Sequence, residues 1–428
     1  MALITCPECK GSVSDTADSC PHCGYKIKPA DVNVDQKEKT DAHGLIVTAI
    51  VIIIIIFSAI FFCSNPSSPP KTEPPDSSSG SSEERGSEAL IDASVKFYPV
   101  CVGSKCGYID KTGKIVINPQ FISAGEFNEG LASVLVGDGI NRAKWGYIDM
   151  TGKYVINPQF DEIFSFSEGL SAVKNGSKWG YIDKTGKYVI NPQYDVPGNF
   201  KEGLAAVAIC DLAGDFSNAK YGFIDKTGKY VIKPQFNNLL AFNFSEGLAW
   251  VTIGGKYGYI DKTGKIVINP QFGAAHDFNE GLASVLVGDI LDNRSEWGYI
   301  DKTGKIVINP QFDNAGDFSE GLAWVTIGGK TGYIDKAGKI VINPQFDNTF
   351  GTNHTGDFKE DLAVVKIGGK YGYIDKTGKI VIDPQFDIAV NFSEGLARVA
   401  IGDLLGDINH IKTGYIDKTG KYVWDPSH

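Results

Sequence analysis

Four cysteines near the start of the chain are the residues best suited to chemistry. Cys6 and Cys9 form one Cys-x-x-Cys pair, and Cys20 and Cys23 form a second. This spacing is typical of a tetrahedral Zn²⁺ site, and four thiolates fill its coordination shell, so no open catalytic position remains. A redox or disulfide role of the two pairs is the alternative. His22 lies inside the second pair and is not needed as a ligand.

The segment that carries these cysteines, residues 1–27, resembles the short zinc ribbons at the N-termini of bacterial membrane proteins. The resemblance implies a structural Zn²⁺ whose binding folds the segment. A polar tether follows at 28–43, and residues 44–63 then contain no charge. At about 1.5 Å rise per residue, a run of this length spans the roughly 30 Å hydrocarbon core of a bilayer, which predicts one transmembrane helix. A buried core helix is the alternative.

The lysines around this segment indicate its orientation. Residues 24–43 carry four lysines, whereas residues 64–83 carry only Lys71. Because positively charged flanks stay in the cytosol, we expect a single-pass protein with a cytosolic N-terminus and an extracytoplasmic remainder. Residues 64–92 are rich in Pro and Ser and poor in apolar residues, which predicts a disordered linker.

An internal repeat fills residues 93–426. Its core, Gly-(Tyr/Phe)-Ile-Asp, recurs at intervals of 34 to 42 residues. The nine copies begin at Gly107, Gly146, Gly180, Gly222, Gly258, Gly298, Gly332, Gly372 and Gly414. Self-similarity at this spacing indicates units that bury their apolar faces against their neighbours.

One unit is predicted to be a three-stranded antiparallel meander. Its strand-like runs are Leu248–Ile253, Tyr257–Ile260 and Lys265–Asn269. Gly254 and Gly255 favour a tight hairpin between the first two strands, and Asp261–Gly264 has the residues of a turn before the third. Pro270 lacks an N–H group and is expected to end the third strand.

The repeats resemble the bacterial WG-repeat family, also called KWG repeats. Lys144–Asp149 and Lys178–Asp183 both read KWGYID, and Asn-Pro-Gln and Glu-Gly-Leu recur in order after them. The Trp is kept only at Trp145, Trp179 and Trp297, which indicates a packing position that accepts replacement. The resemblance implies a repeat interaction module and no catalytic residue.

The whole chain is therefore predicted to be an all-β repeat array with a small zinc ribbon and one transmembrane helix. Propellers usually have about 4–8 blades of four strands. Nine three-stranded units, with no spare terminal strand to close a ring, favour an open superhelix over a closed propeller.

Trp250 and Trp324 are the predicted ligand-binding residues. Side chains alternate between the two faces of a strand. One face of the first strand is uniformly small and apolar, as packing between units requires. The other face varies, and both tryptophans stand at its middle position. The alternative is that each Trp packs under its own unit's loop, at Phe244 or Phe318.

Cys101 and Cys106 flank the first hairpin turn of the array. In an oxidising compartment they could form a disulfide, and two free thiols are the alternative. Cys210 has no evident partner and is expected to be buried.

Four repeats lengthen the connection between their first two strands, at 137–144, 211–220, 288–296 and 402–412. Insertions in repeat arrays gather on one face, which is often the binding face. Their aspartates could bind Ca²⁺ but lack an ordered ligand spacing, so solvated loops are favoured.

The charge of the chain and its recurrent polar residues argue against nucleic-acid binding and against catalysis. The net charge of −10, without a basic stripe, argues against nucleic-acid binding. A recurrent Asp, as at Asp110, and a recurrent Glu, as at Glu129, could be paired carboxylates. A catalytic pair is normally needed once, however, so turn and loop roles are favoured. The histidines form no recognisable triad.

The sequence thus predicts a non-catalytic, membrane-anchored interaction protein whose repeats bind a protein or a glycan at the cell envelope. The alternative is a transmembrane sensor or scaffold whose zinc ribbon docks a cytosolic protein. An envelope hydrolase has the least support, because no acid/base set occurs in a single copy.

Overall fold

The computed structural model describes the chain in segments. They are residues 3–5, 12–14, 96–137, 139, 142–210, 219–236, 243–288, 295–348, 356–402 and 411–425. The chain divides into two units, residues 1–65 and 66–428. In the first unit, Leu3–Thr5 pairs antiparallel with Ser12–Ser14.

Several predicted features lie outside the described residues. These are the four proposed zinc ligands Cys6, Cys9, Cys20 and Cys23, the tether, the apolar segment 44–63 and the linker 64–92. Within the described segments, no helix is long and apolar enough to cross a membrane.

The second unit consists of nine repeats of antiparallel strands. The first strands are Tyr98–Val102, Leu131–Val136, Leu170–Asn175, Leu204–Ile209, Leu248–Ile253, Leu282–Val287, Leu322–Ile327, Leu362–Ile367 and Leu396–Ile401. The second strands are Lys105–Ile109, Lys144–Ile148, Lys178–Asp183, Lys220–Asp225, Lys256–Asp261, Glu296–Asp301, Lys330–Asp335, Lys370–Asp375 and Lys412–Asp417. The third strands are Ile115–Phe121, Tyr154–Phe160, Tyr188–Tyr194, Tyr230–Phe236, Ile266–Phe272, Ile306–Phe312, Ile340–Asp347, Ile380–Phe386 and Tyr422–Trp424.

Six repeats add a fourth strand, which corrects the predicted three-stranded unit. This leading strand precedes the first strand and pairs with it. The leading strands are Ser123–Asn128, Glu162–Ile163, Val196–Pro197, Ala274–Ala275, Asn314–Ala315 and Ile388–Ala389. Most are two residues long and differ in sequence, so they show no alternation that could predict them.

A Glu-Gly turn joins the leading segment to the first strand. Glu168 has φ 52° and Gly169 has φ 86°. Ser167 and Leu170 exchange backbone hydrogen bonds of 2.9 and 3.2 Å across this turn. Positive φ at both central residues is the geometry of a type I′ turn, which matches the twist of a tight hairpin.

The third strand continues through its proline, against the prediction that Pro270 would end it. It runs from Ile266 to Phe272 and pairs on one side with the second strand. The other side is a sheet edge in this repeat, a place where a strand accepts proline.

Both faces of each first strand pack against neighbouring repeats. In repeat 5, Ala249 lies in one apolar cluster with Leu204 of repeat 4. Leu248, on the opposite face, lies in another cluster with Ala283 and Val285 of repeat 6. The prediction that the small apolar face mediates packing between repeats is confirmed.

The first and last repeats are also in contact, so the open superhelix predicted from the sequence is wrong. Tyr98 and Val100 of repeat 1 share an apolar cluster with Leu396 and Tyr415 of repeat 9. The Tyr98 hydroxyl donates to the Glu394 carbonyl at 3.0 Å, and the Tyr415 hydroxyl donates to the Pro99 carbonyl at 3.0 Å. The array closes through side-chain packing between sheets, which needs no spare terminal strand.

Candidate functional site

The recurrent Glu of the Glu-Gly turn links each repeat to the next. The Glu202 carboxylate accepts the Gly247 N–H at 3.0 Å and lies 3.1 Å from the Lys262 ammonium, both in the following repeat. Burial raises the pKa of Glu202, but the bonds from Lys262 and Gly247 outweigh it and hold that pKa below its usual value. Equivalent ion pairs are Lys184–Glu129, Lys226–Glu168, Lys302–Glu246, Lys336–Glu280, Lys376–Glu320 and Lys418–Glu360.

The recurrent Asp stabilises its own turn. Asp261 Oδ1 accepts the Thr263 hydroxyl at 2.6 Å, the Thr263 N–H at 2.9 Å and the Lys265 N–H at 3.1 Å. The Thr263 hydroxyl bond is the main reason that the pKa of Asp261 lies below its usual value. The turn and loop roles predicted for the recurrent carboxylates are confirmed.

The repeats differ at the residue that precedes the recurrent Phe of the leading segment. Repeats 6, 7 and 8 place Asp277, Asp317 and Asp357 there and repeat 2 places Glu126, whereas repeats 3, 4, 5 and 9 have Ser165, Asn199, Asn243 and Asn391. Asp277, Asp317 and Asp357, together with Trp250, His276 and Trp324, form what we call the acidic–aromatic cluster.

Trp250 is half-buried and bonded to the next repeat. Its indole Nε1 donates to Asp277 Oδ1 at 3.0 Å. Its ring centroid lies 5.2 Å from that of Tyr257 on the paired strand. Trp250 also packs against the apolar cluster that contains Phe244. It is therefore partly packed under its own repeat's loop and partly exposed on the variable face of the strand.

Trp324 occupies a slot made by two glycines. A Cβ at Gly316 would overlap the indole ring, and a Cβ at Gly356 of the next repeat would lie 3.1 Å from its Cδ1. The side chain is half-buried there. These glycines directly precede Asp317 and Asp357, so Trp324 lies beside two of the three aspartates.

His276 connects Ser284 and Asp317. Its Nδ1 lies 2.9 Å from Ser284 Oγ and 3.8 Å from Asp317 Oδ1, and its ring centroid lies 4.9 Å from that of Trp297. In a nucleophile relay the serine and the carboxylate use different ring nitrogens. Here both approach the same nitrogen, so this trio does not have relay geometry.

The carboxyl group of Asp317 is strongly perturbed by its surroundings. Burial, and then the charges of Asp357 and Asp277, raise its pKa to about 7. Lys201 of repeat 4 lies 4.0 Å from Asp277 and, with Lys359, opposes this rise. Within the described segments, no group of three His, Cys, Asp or Glu side chains could hold a metal ion.

Sequence reasoning identified the two tryptophans but missed His276 and the three aspartates. The available signal was the Asp-Phe dipeptide, which recurs at Asp277, Asp317 and Asp357. Of the two alternatives left open for Cys101 and Cys106, the structure has the disulfide, with the two sulfurs bonded at 2.02 Å. Cys210 is buried, as expected. The insertion segments 211–218, 289–294 and 403–410 lie outside the described residues.

A family model described as WG containing repeat matches more than half of the chain. It covers residues 107–139, 145–179, 179–209, 221–257, 257–289, 297–330, 332–371 and 371–404. An uncharacterized protein of Haemophilus influenzae is 38% identical over 45 residues, which are 10% of this chain and 58% of that protein.

The solved structures that are similar to this chain share little sequence with it. A eukaryotic initiation factor has a TM-score of 0.44 and 13% identity, covering 65% of this chain and 81% of its own. A quinonprotein alcohol dehydrogenase-like protein of Bacteroides thetaiotaomicron has a TM-score of 0.34 and 14% identity, covering 69% and 81%. Kluyveromyces lactis Hsv2p has a TM-score of 0.36 and 8% identity, covering 59% and 92%. TM-scores this low carry no functional argument.

Proposed function

Since the chain belongs to the WG containing repeat family, we propose that it is a non-catalytic, membrane-anchored protein whose repeats bind a protein or a glycan at the cell envelope. The observation that carries this proposal is a contrast between repeats. The Glu and Asp contacts recur around the array, whereas the acidic–aromatic cluster is built only by repeats 5 to 8. A surface that differs from the equivalent surfaces of the other repeats can recognise a ligand that those repeats do not bind.

The chemistry of the cluster suits ligand binding. Covering a half-buried aromatic ring with a sugar ring or an apolar side chain lowers the free energy of the complex. The carboxylates beside Trp250 and Trp324 can accept hydrogen bonds from hydroxyl or N–H groups of the same ligand. The ligand contacts are therefore proposed for Trp250 and Trp324, with Asp277, Asp317 and Asp357 as acceptors.

The proposed anchor and zinc ribbon rest on the N-terminal sequence. Residues 44–63 are uncharged and long enough to span a bilayer. Cys6 and Cys9 fall between two paired strands, Leu3–Thr5 and Ser12–Ser14, a placement that suits a ribbon with a structural Zn²⁺. Metal analysis tests this: we expect one Zn²⁺ per full-length chain and none after Cys9→Ser.

The placement of the repeats outside the cytoplasm rests on two observations. Lysines are concentrated before residue 44, and Cys101 and Cys106 form a disulfide of the kind found in oxidising compartments. Protease added to intact spheroplasts should digest the repeats and spare the N-terminus. The reverse pattern contradicts this topology.

Binding of the full-length protein to arrays of envelope glycans and envelope proteins tests the proposed function. We expect Trp250→Ala and Trp324→Ala each to weaken binding about tenfold, equivalent to about 1.4 kcal/mol. Ser133→Ala is the matched control, because Ser133 has the same strand position in repeat 2, away from the cluster. Unchanged affinity in both Trp variants contradicts the proposal, and a sharp fall in melting temperature without a binding defect assigns the tryptophans to packing.

A further inference from the structure

The contact between repeats 9 and 1, which we call the seam, differs chemically from the other contacts. At most of the other contacts a glycine N–H and a turn lysine meet the Glu of the preceding repeat, as at Glu202. At the seam, Lys96 occupies the position of that glycine. Its ammonium donates to Ser393 Oγ at 2.7 Å and lies 3.8 Å from Glu394 Oε1.

The strand that forms the seam is held by the disulfide. Cys101, on the first strand of repeat 1, is paired directly with Cys106 on the second strand. Tyr98 and Val100, which pack against repeat 9, belong to the same first strand. Cys101 is exposed at the tip of the hairpin, whereas Cys106 is buried. A small reductant can therefore reach the disulfide from the Cys101 sulfur.

Other repeats hold this position by side-chain packing. The equivalent cross-strand pairs include Leu135–Trp145, Lys174–Trp179 and Lys366–Tyr371. In two of them the lysine ammonium lies over the aromatic ring, at 5.8 and 5.2 Å from its centroid. Two separate thiols would bury far less apolar area than these three pairs, so a reduced repeat 1 would have little apolar contact at this position, as repeats 7 and 9 have at Thr326–Thr331 and Ala400–Thr413.

We propose that the Cys101–Cys106 disulfide is a redox-sensitive latch on the seam, closed when oxidised and loosened when reduced. A thiolate of a dithiol reductant attacks the exposed Cys101 sulfur, and the sulfur–sulfur bond breaks with Cys106 leaving as a thiolate. The second thiol of the reductant then displaces the Cys101 sulfur. The net change transfers two electrons and two protons to the protein and leaves the reductant as a cyclic disulfide.

Amide hydrogen exchange of the full-length protein, with and without excess dithiothreitol, tests this latch. We expect reduction to speed exchange about tenfold in Tyr98–Val102 and Leu396–Ile401, because local opening controls exchange. Exchange in Leu248–Ile253 and Leu282–Val287, which meet at an ordinary contact, should not change.

A double variant, Cys101→Ser with Cys106→Ser, distinguishes the effect of reducing this disulfide from effects of dithiothreitol on other thiols. Its seam should exchange rapidly in both conditions and show no response to dithiothreitol. Equal seam exchange in oxidised and reduced wild type overturns the proposal, as does a response that survives in the variant. If the variant does not fold, reoxidation of reduced wild type must restore slow exchange, and failure to do so also overturns it.

Discussion

Asp317 has a largely buried carboxyl group among other charged side chains. Its side chain is only 26% exposed, and its Oδ1 is buried without a hydrogen bond among the described residues. Asp277 and Asp357 raise its pKa together with burial, whereas Lys201 and Lys359 lower it. His276, at 3.8 Å, faces the same oxygen. The ionised form of Asp317 therefore costs stability in the folded protein.

The pH dependence of stability should report this cost. Because the folded-state pKa of about 7 exceeds the ordinary value of 3.8, Asp317 contributes stability that is present below pH 3.8 and lost as pH rises through 7. We expect the free energy of unfolding of wild type to fall by about 1–2 kcal/mol more than that of Asp317→Asn between pH 5 and pH 8. Denaturant titrations at both pH values measure this difference.

Histidine ordinarily changes charge between pH 5 and pH 8, and His276 lies 3.8 Å from Asp317 Oδ1, so it needs its own control. In His276→Gln the part of the pH dependence that belongs to Asp317 should remain. Identical pH profiles for wild type and Asp317→Asn would show that the carboxyl group is not perturbed in this way.

The proposed ligand-binding residues illustrate how far the placement of single residues can be predicted. The alternation of strand residues was sufficient to identify Trp250 and Trp324 as members of the variable face. The partner of Trp250 could not be predicted, because Asp277 belongs to the next repeat and meets it only through tertiary packing. The placement of Trp324 depends on Gly316 and Gly356, which have no side chains to signal a contact.

At the scale of elements, the glycine of the second strand allows the third strand to approach it closely. A Cβ at Gly258 would lie 2.6 Å from both the Ile268 carbonyl oxygen and the Pro270 nitrogen on the third strand. The register shifts there, between Tyr257 and Tyr259. Only glycine permits this close backbone approach, so the Gly of the repeat is a packing requirement.

Substitution of this glycine should therefore destabilise the protein. We expect Gly258→Ala to lower the free energy of unfolding by about 1–3 kcal/mol, because the added methyl group meets backbone atoms that cannot turn away. Gly254→Asn is the control, since Gly254 has φ 60° and open space around it, and Asn accepts that conformation. Equal stability of the two variants in denaturant titrations would contradict this explanation.

The elements themselves could largely be predicted from the sequence. The first strand Leu248–Ile253 has the predicted bounds, and positive φ at Gly254 and Gly255 matches the predicted hairpin. The leading strands could not be predicted, because the pairing of Glu162–Ile163 depends on the neighbouring first strand and not on local alternation. Pro270 misled the prediction because its effect depends on whether the strand lies at an edge.

At the scale of the whole molecule, closure is the feature that local sequence could not indicate. The bond between Tyr415 and Pro99 joins residues 316 positions apart. Gly113 of repeat 1 meets the Val423 backbone of repeat 9, much as Gly152 of repeat 2 meets Ile117 of repeat 1. The nine repeats therefore form a closed ring in which repeat 1 packs on repeat 9.

Zero-length carbodiimide cross-linking of the full-length protein tests this closure most directly. The reagent joins an ammonium and a carboxylate only when they are in contact, and Lys96 and Glu394 lie 3.8 Å apart across the seam. The closed ring predicts a cross-linked peptide between Lys96 and Glu394 that disappears in Lys96→Gln. Neighbouring repeats supply the internal control, since Lys302 and Glu246 lie 3.0 Å apart in an open or a closed array. Efficient Lys302–Glu246 cross-linking without the Lys96–Glu394 product would contradict the closed ring.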